Sequence, residues 1–591
     1  MRSSMWLVLL LAGCGAEGTQ GVDDPEPEPL ICDRGYRVVD AACVPAGMTA
    51  EACPPGFAFA GELCLPQLPG DCPAGAMALP GESACRPVSP CEPGPWGDIV
   101  TDASTQHVDG SYTAADADGS ATRPWPTIAE GIAAATPGAV VAVARGTYAA
   151  ALTVTKPVTI WGVCPAETTI TATASPTVLL REGSAGTVLR GVGLSGTGIA
   201  VIASGTDVAL EQVWVHDVGD VGVASENTLG PAAVALRDSL VESYVRIGVQ
   251  AIGTSVAVER SVVGRPAGAG RGAGIWIFAA PNGVRSQGTV LDTVIDRPQF
   301  VGLIASASDV VMERSAVIAP TPSPTEGNGW GVLSQAQPET GEQAQLTISQ
   351  SAVMHASELG ISLAGGRGAF SYLSVLGGVG GEARGIEAED SNGVRAELSM
   401  NDSTVAESQQ VGILCSGSDV ALTAVQVRDV QPSLEGTLGR GVMVQTNPST
   451  LLPSTLVMQG SLVRDNLDIG LLVANSTASV VDTGIYATTS RIVDGTFGDG
   501  ISVVTTDPTL PGVAELTRVT VRDNARAGVG VFGATASLSD SAVGCNGFDL
   551  NAETLAGVAP VVTDLGGNLC GCEGDEACKV LSSSLAPPDT L

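Results

Sequence analysis

The chain has 591 residues, with 62 Asp and Glu against 28 Lys and Arg, and a formal net charge of −34 at pH 7. So acidic a protein is not expected to bind nucleic acid or anionic lipid headgroups, and it should repel polyanionic polysaccharides unless a divalent cation bridges them. Fourteen cysteines without metal-ligand spacing point to an oxidising, extracytoplasmic compartment.

Residues 1–13 have a basic start, a short apolar run and small residues at the end, which reads as a secretory signal too short to span a bilayer. Leu11-Ala-Gly-Cys14 resembles the bacterial lipobox, and the resemblance implies that Cys14 is lipidated and that this anchor is the sole membrane contact. Residues 14–31 are rich in Glu, Asp and Pro and read as a flexible tether. The expected location is the outer surface of a Gram-negative-type bacterium.

Residues 32–91 carry a repeat of their own. Cys32…Cys43, Cys53…Cys64 and Cys72…Cys85 each begin Cys-x-x-Gly and have a Pro two places after the second cysteine. The unit suggests a disulfide-closed hairpin with those three pairings, although six cysteines allow fifteen connectivities. Zinc is disfavoured, because the pairs are too far apart for Cys-x2-Cys knuckles and no histidine lies nearby. The segment reads either as an adhesive stalk or as a stapled spacer.

A linker over 92–108 leads to a rod assigned to 109–553. Thr127-Ile-Ala-Glu130 is a capping box that opens a short helix, with Ile128, Ile132 and Ala135 on one face. Such a helix would cover the open end of the rod, where unpaired strand edges invite aggregation. Thirteen glycines from Gly198 to Gly528 then recur 24 to 30 residues apart, and each is followed by Val, Ile or Leu. A fixed period with a fixed apolar phase marks a stacked repeat. Short alternating runs of β-branched residues between Gly, Asp and Asn make the unit one coil of a parallel β-helix, about thirteen coils in all. The glycine is expected to allow a tight corner at positive φ.

Residues 116–135, DADGSATRPWPTIAEGIAAA, followed by PGAVVAVARGTY from Pro137, resemble the entry module of secreted proteins in the right-handed parallel β-helix (pectate-lyase-like) superfamily. The resemblance implies an all-β fold. It does not imply one chemistry, because that superfamily holds lyases, hydrolases, epimerases and adhesins. Residues 554–591 read as a cap and tail, with Cys545, Cys570, Cys572 and Cys578 stapling the end. Cys415 stands alone at an inward position and is the expected free thiol.

Catalytic constellations are scarce. There is no Gly-His-Gly or Arg-x-Lys element, the only Asp-Asp is Asp23-Asp24, and the only lysines are Lys156 and Lys579. His107, His216 and His355 stand in unrelated contexts. Arg237-Asp238, Arg428-Asp429, Arg464-Asp465 and Arg522-Asp523 recur in similar strands and read first as corner residues. Asp116 and Asp118 are weak Ca²⁺ candidates without a later acidic ligand, and no cofactor is otherwise implied.

The second position after each repeat glycine should face outward. There it aligns two apolar stripes, Trp276-Ile304-Leu333 and Leu414-Met443-Leu472. An exposed stripe marks a surface for an extracellular glycan or a surface protein, unless inserted loops cover it. The expectation is a surface lipoprotein with a binding, adhesive or structural role. The alternative is a polysaccharide lyase, hydrolase or epimerase, which would need ionisable groups converging on adjacent coils.

Overall fold

The computed structural model describes residues 32–39, 42–268, 270–378, 383–574 and 576–590. The signal, Cys14 and the tether lie outside the described residues. From Gln106 onward the chain winds into a right-handed parallel β-helix. One face, sheet A, is a single parallel ladder of 17 strands, from Leu152–Val154 to Val580–Leu581. The other 33 strands bend at a corner in every coil into two further faces. Sheet B holds strands such as Ser255–Glu259, and sheet C holds strands such as Val262–Gly264. In two coils the chain crosses this corner as one strand, Gln345–Met354 and Arg367–Leu376.

The rod is therefore longer than the thirteen coils expected. At about 4.8 Å per coil, seventeen coils give roughly 80 Å. The coils missed by the glycine count begin their sheet A strands after other residues. Leu550 pairs with both Val529 and Val580, yet follows Asp549. Gly198 is also out of phase, because Val223 pairs with Val201 and not with Ile199.

The reason for the other glycines differs from the one expected. None of them from Gly222 to Gly528 has positive φ. Instead, a Cβ on Gly274 would lie 2.4 Å from the Gly302 carbonyl oxygen, and one on Gly412 would lie 2.6 Å from that of Gly441. The glycines let successive coils stack closely at one point of the turn. The following aliphatic residues, Val249, Ile275, Leu303 and Val332 among them, are fully buried in one continuous core.

Positive φ is found at the corners of the coil, among them the one between sheets B and C, at Asp238, Arg260, Asp292 and Arg314. These left-handed, non-glycine residues are held in two ways. Each is followed by a hydroxyl residue that accepts a backbone N–H from the previous coil. Ser239 N donates to Ser261 Oγ at 3.1 Å, and Thr293 N donates to Ser315 Oγ at 3.0 Å. Their side chains also pair across coils, Arg260 with Asp238 at 2.7 Å and Arg314 with Asp292 at 2.8 Å. The hydroxyl ladder satisfies N–H groups that the bend removes from the strand ladder.

The entry helix spans Ile128–Ala134, with both halves of its capping box formed and Ile128, Gly131 and Ile132 buried. The cysteine segment forms three antiparallel hairpins with the expected disulfides, Cys32–Cys43, Cys53–Cys64 and Cys72–Cys85. It does not stand off the rod as a stalk or spacer. It lies along the outside of sheet C, running from late coils to early ones. Gly35 N donates to Asp482 O, Met48 N to Thr404 Oγ1, Cys64 N to Ser374 Oγ, and Gly75 N to Glu242 Oε1. Met77 and Val88 pack on Leu240, Val262 and Val294, while Met48 and Phe57 pack on Ala352. The apolar residues that sheet C turns outward explain this docking. A further disulfide, Cys91–Cys164, fastens the end of the cysteine segment to the first coils. Cys545–Cys572 and Cys570–Cys578 close the far end, and Cys415 is free and buried.

Candidate functional site

The two apolar stripes stack in the expected register. Trp276 pairs with Ile304 and Ile304 with Leu333; Leu414 pairs with Met443 and Met443 with Leu472. They are not a solvent surface. Met443 and Leu472 are fully buried, Ile304, Leu333 and Leu414 are buried, and Trp276 is half-buried. The residue before each repeat glycine also points outward, and Val301, Trp330, Val411 and Ile469 widen each stripe into a small core. Leu555 and Leu585 pack against the second one. Arg271 lies over the Trp276 ring at 4.9 Å.

The other sequence candidates are engaged in local contacts. Asp116 accepts a bond from the Tyr112 hydroxyl at 2.6 Å, and Asp118 pairs with Arg123 and accepts from Ser120 N, so this is a self-satisfied turn. Arg428 and Arg464 both reach Glu62 of the second hairpin, Arg237 pairs with Glu259, and Arg522 donates to the Cys572 carbonyl. The three histidines stay apart. His107 meets Trp96 edge-on, His216 stacks on Trp214 beside Asp217, and His355 faces the Gly377 carbonyl.

Ionisable groups do converge where the outward phase of sheet A turns polar, between the two stripes. Here Ser362 and Glu387 replace the apolar residues, and a groove of about 750 Å³ opens, lined by Trp330, Glu358, Arg384, Glu387, Glu389 and Gln410 among others. Its size is that of a ligand site. Three neighbouring strands supply it, Trp330–Gln335, Leu359–Ala364 and Arg384–Glu389. Trp330 Nε1 donates to Glu358 Oε2 at 3.2 Å, Arg384 Nη1 to Glu387 Oε2 at 2.9 Å, and Arg384 Nε to Gln410 Oε1 at 3.1 Å.

Glu387 and Glu389 are two apart on one strand and so share a face. Burial, then a hydrogen bond with Glu387 and the charges of Glu387 and Asp390, push the Glu389 carboxyl up to about 7, against a weaker downward pull from Asn447. Asn447 Nδ2 donates to Glu389 Oε1 at 2.9 Å. The groove thus holds one carboxylate compensated by an arginine beside a carboxyl that carries a proton for much of the time near neutral pH. That pairing can exchange protons with a bound hydroxyl-rich molecule. Among the described residues, the one grouping of three metal-type ligand atoms is Cys91, Cys164 and Glu167, and its two sulfurs already form a disulfide.

Adjacent acids do not mark this site in the sequence, because Glu387 and Glu389 are separated by Ala388. The available signal was Gly385-Ile-Glu-Ala-Glu-Asp390, with two glutamates in the outward phase of a repeat strand.

No protein-family model and no curated protein matches the chain. Solved structures resemble it distantly. The catalytic domain of a GH87 alpha-1,3-glucanase covers 82% of this chain and 71% of its own, at 12% identity and a TM-score of 0.29. The periplasmic alginate epimerase AlgG covers 66% and 77%, at 10% identity and 0.34. Pectate lyase Pel9A covers 50% and 76%, at 15% identity and 0.30. The groove is read on its own geometry.

Proposed function

We propose that this protein is an extracytoplasmic surface lipoprotein, anchored at Cys14, that binds a neutral extracellular glycan in the sheet A groove. The observation that carries the reading is the meeting of the half-buried Trp330 ring with Glu358, Arg384, Glu387, Glu389 and Gln410 in an open groove. An indole offers a flat apolar face for a sugar ring, and the carboxylates and amide accept and donate to its hydroxyls. Three glutamates against one arginine, on a chain of net charge −34, favour a neutral chain over a polyuronate. Six disulfides suit the extracytoplasmic location.

A second reading is favoured by the Glu389 carboxyl alone. A group near 7 beside a charged partner is suited to general acid or base work on a glycosidic bond. One experiment addresses both readings. The ectodomain is incubated with neutral and acidic polysaccharides, bound fractions are measured, and product sizes are read by mass spectrometry. The binding reading expects retention of a neutral polysaccharide that falls at least about tenfold in Trp330→Ala. Equal retention by the variant sinks it. Shortened chains that disappear in Glu389→Gln would promote the second reading.

A further inference from the structure

The last described residues leave the final coil at Val580–Leu581 and turn back over sheet A toward earlier coils. Ser583 N donates to Asn551 Oδ1 at 3.1 Å and Glu553 Oε1 at 2.7 Å, and Leu585 N donates to Glu553 Oε1 at 3.3 Å. Farther back, the Ala586 carbonyl accepts from Arg526 Nη1 at 3.0 Å. Leu585 packs on the apolar cluster of Leu472, Val504 and Phe532, and Pro588 is buried. Ser582, Ser584, Ala586, Asp589 and Thr590 face solvent. The segment is an extended chain held by main-chain bonds and few side chains.

Beneath it, three guanidiniums face two carboxylates. Arg440 and Asp468 are fully buried and pair at 2.6 Å. Arg491 holds Asp468 at 2.7 Å, and Arg526 holds Asp499, itself fully buried. Arg491 and Arg526 both lie over the Phe497 ring, at 4.1 and 4.6 Å. Glu553, bonded by the same segment, brings the carboxylates to three, so the charges balance. The arrangement nonetheless leaves Arg440 Nη2 buried with no partner among the described residues. An open N–H on a buried guanidinium is costly, and a further carboxylate would satisfy it. Burial pulls the Arg440 guanidinium down, Asp468 opposes this most strongly, and Asp589 of the covering segment adds a smaller negative influence from an exposed position.

We propose that this face of sheet A is a docking surface for an extended peptide that carries a leucine and a single carboxylate, and that residues 582–590 are its built-in occupant, exchangeable for a like segment of a partner protein. The recognition is peptide-like. Amide N–H groups and a carbonyl make most of the polar contacts, joined by the Ser582 hydroxyl on Glu553 at 2.8 Å, a leucine fills the apolar site, and prolines keep the chain extended at low entropic cost. The surface lies on later coils than the groove, so the inference does not depend on glycan binding.

The test compares the full chain, a chain ending at Leu581, and full-length Leu585→Ser, which keeps every residue should the shortened chain misfold. The probe is a fluorescent peptide of the sequence 582–591, read by anisotropy. The expectation is binding to the shortened or loosened chain at least tenfold tighter than to the full chain. Replacing the peptide residues that correspond to Leu585 by serine, or Asp589 by asparagine, should each weaken it about tenfold. Absence of binding to all three chains overturns the proposal, as does binding indifferent to both replacements. Displacement of the covering segment by an oligouronide but not by the peptide would assign the surface to an acidic glycan, and would equally overturn it.

Discussion

Replacing Glu389 by glutamine fixes the side chain in the shape of its protonated form, still able to accept from Asn447 and to bond Glu387. The carboxyl is raised from an ordinary 4.5 to about 7. Between those values the folded chain holds a proton that the unfolded chain has released. The wild-type protein therefore has the full contribution of this group below pH 4.5, loses it as pH rises through 7, and is level above. At 1.36 kcal/mol per pH unit the whole interval corresponds to about 3.4 kcal/mol. The residue is only half-buried, and solvent screening reduces the figure to about 1–2 kcal/mol. Urea unfolding of wild type and Glu389→Gln from pH 4 to 8 measures it. The variant should match the wild type at pH 4 and exceed it by about 1–2 kcal/mol at pH 8, with the difference developing between 4.5 and 7. A difference that does not vary with pH would refute the claim that this carboxyl is pushed up by burial and by Glu387.

Gly274→Ala should lower stability by about 1–3 kcal/mol or more, since its Cβ meets a backbone oxygen that cannot move without parting two coils; thermal unfolding reads the loss. Glu62→Ala leaves Arg428 and Arg464 without their shared partner and should loosen the second hairpin, seen as faster amide exchange at Phe57–Pro66 while the coils beyond Leu510 stay unchanged. Cys415 is buried, and burial pushes its thiol up to about 12, so in residues 15–591 no thiol should react with iodoacetamide in the native protein and one per chain should react in urea.

What the sequence revealed and what it hid have separate physical reasons. The inward aliphatic phase was legible because the core repeats it, at Val249, Ile275 and Leu303, in every coil. The role of the repeat glycines was not, because close approach to the next coil and a positive φ both select for glycine. The hairpin disulfides were legible from local spacing. Cys91–Cys164 was not, since its partners are 73 residues apart, although they are the two cysteines left when Cys14, Cys415 and the local pairs are set aside. Docking of the hairpins on sheet C was written in runs such as Val262-Val263, Val294-Ile295 and Ala316-Val317-Ile318. There both faces of a strand are apolar, as in sheets covered on both sides. The sheet A groove was hidden by the opposite effect. Its polar residues interrupt the stripe pattern, and an interruption looks like noise until neighbouring coils are superposed.

The hairpin segment along sheet C also changes what kind of folding unit the rod is. In a bare solenoid each coil touches only its neighbours, and stability is a sum of nearest-neighbour terms from which the ends can fray. Here the Tyr486 hydroxyl holds the Arg34 carbonyl across 452 residues, while Trp96 packs on Val163 near the opposite end. A splint of this reach ties the coils between Val163 and Tyr486 to one another, so an early coil cannot fray without loosening the segment that also lies on later ones. It sets an order of assembly as well. The hairpins are made first yet each must wait for its own coils: the third for those at Leu240–Val294, the second for the coil of Ala352, and the first for the late coils at Asp482 and Tyr486. Their short covalent loops, with cysteines 11 to 13 residues apart, allow them to close early and wait.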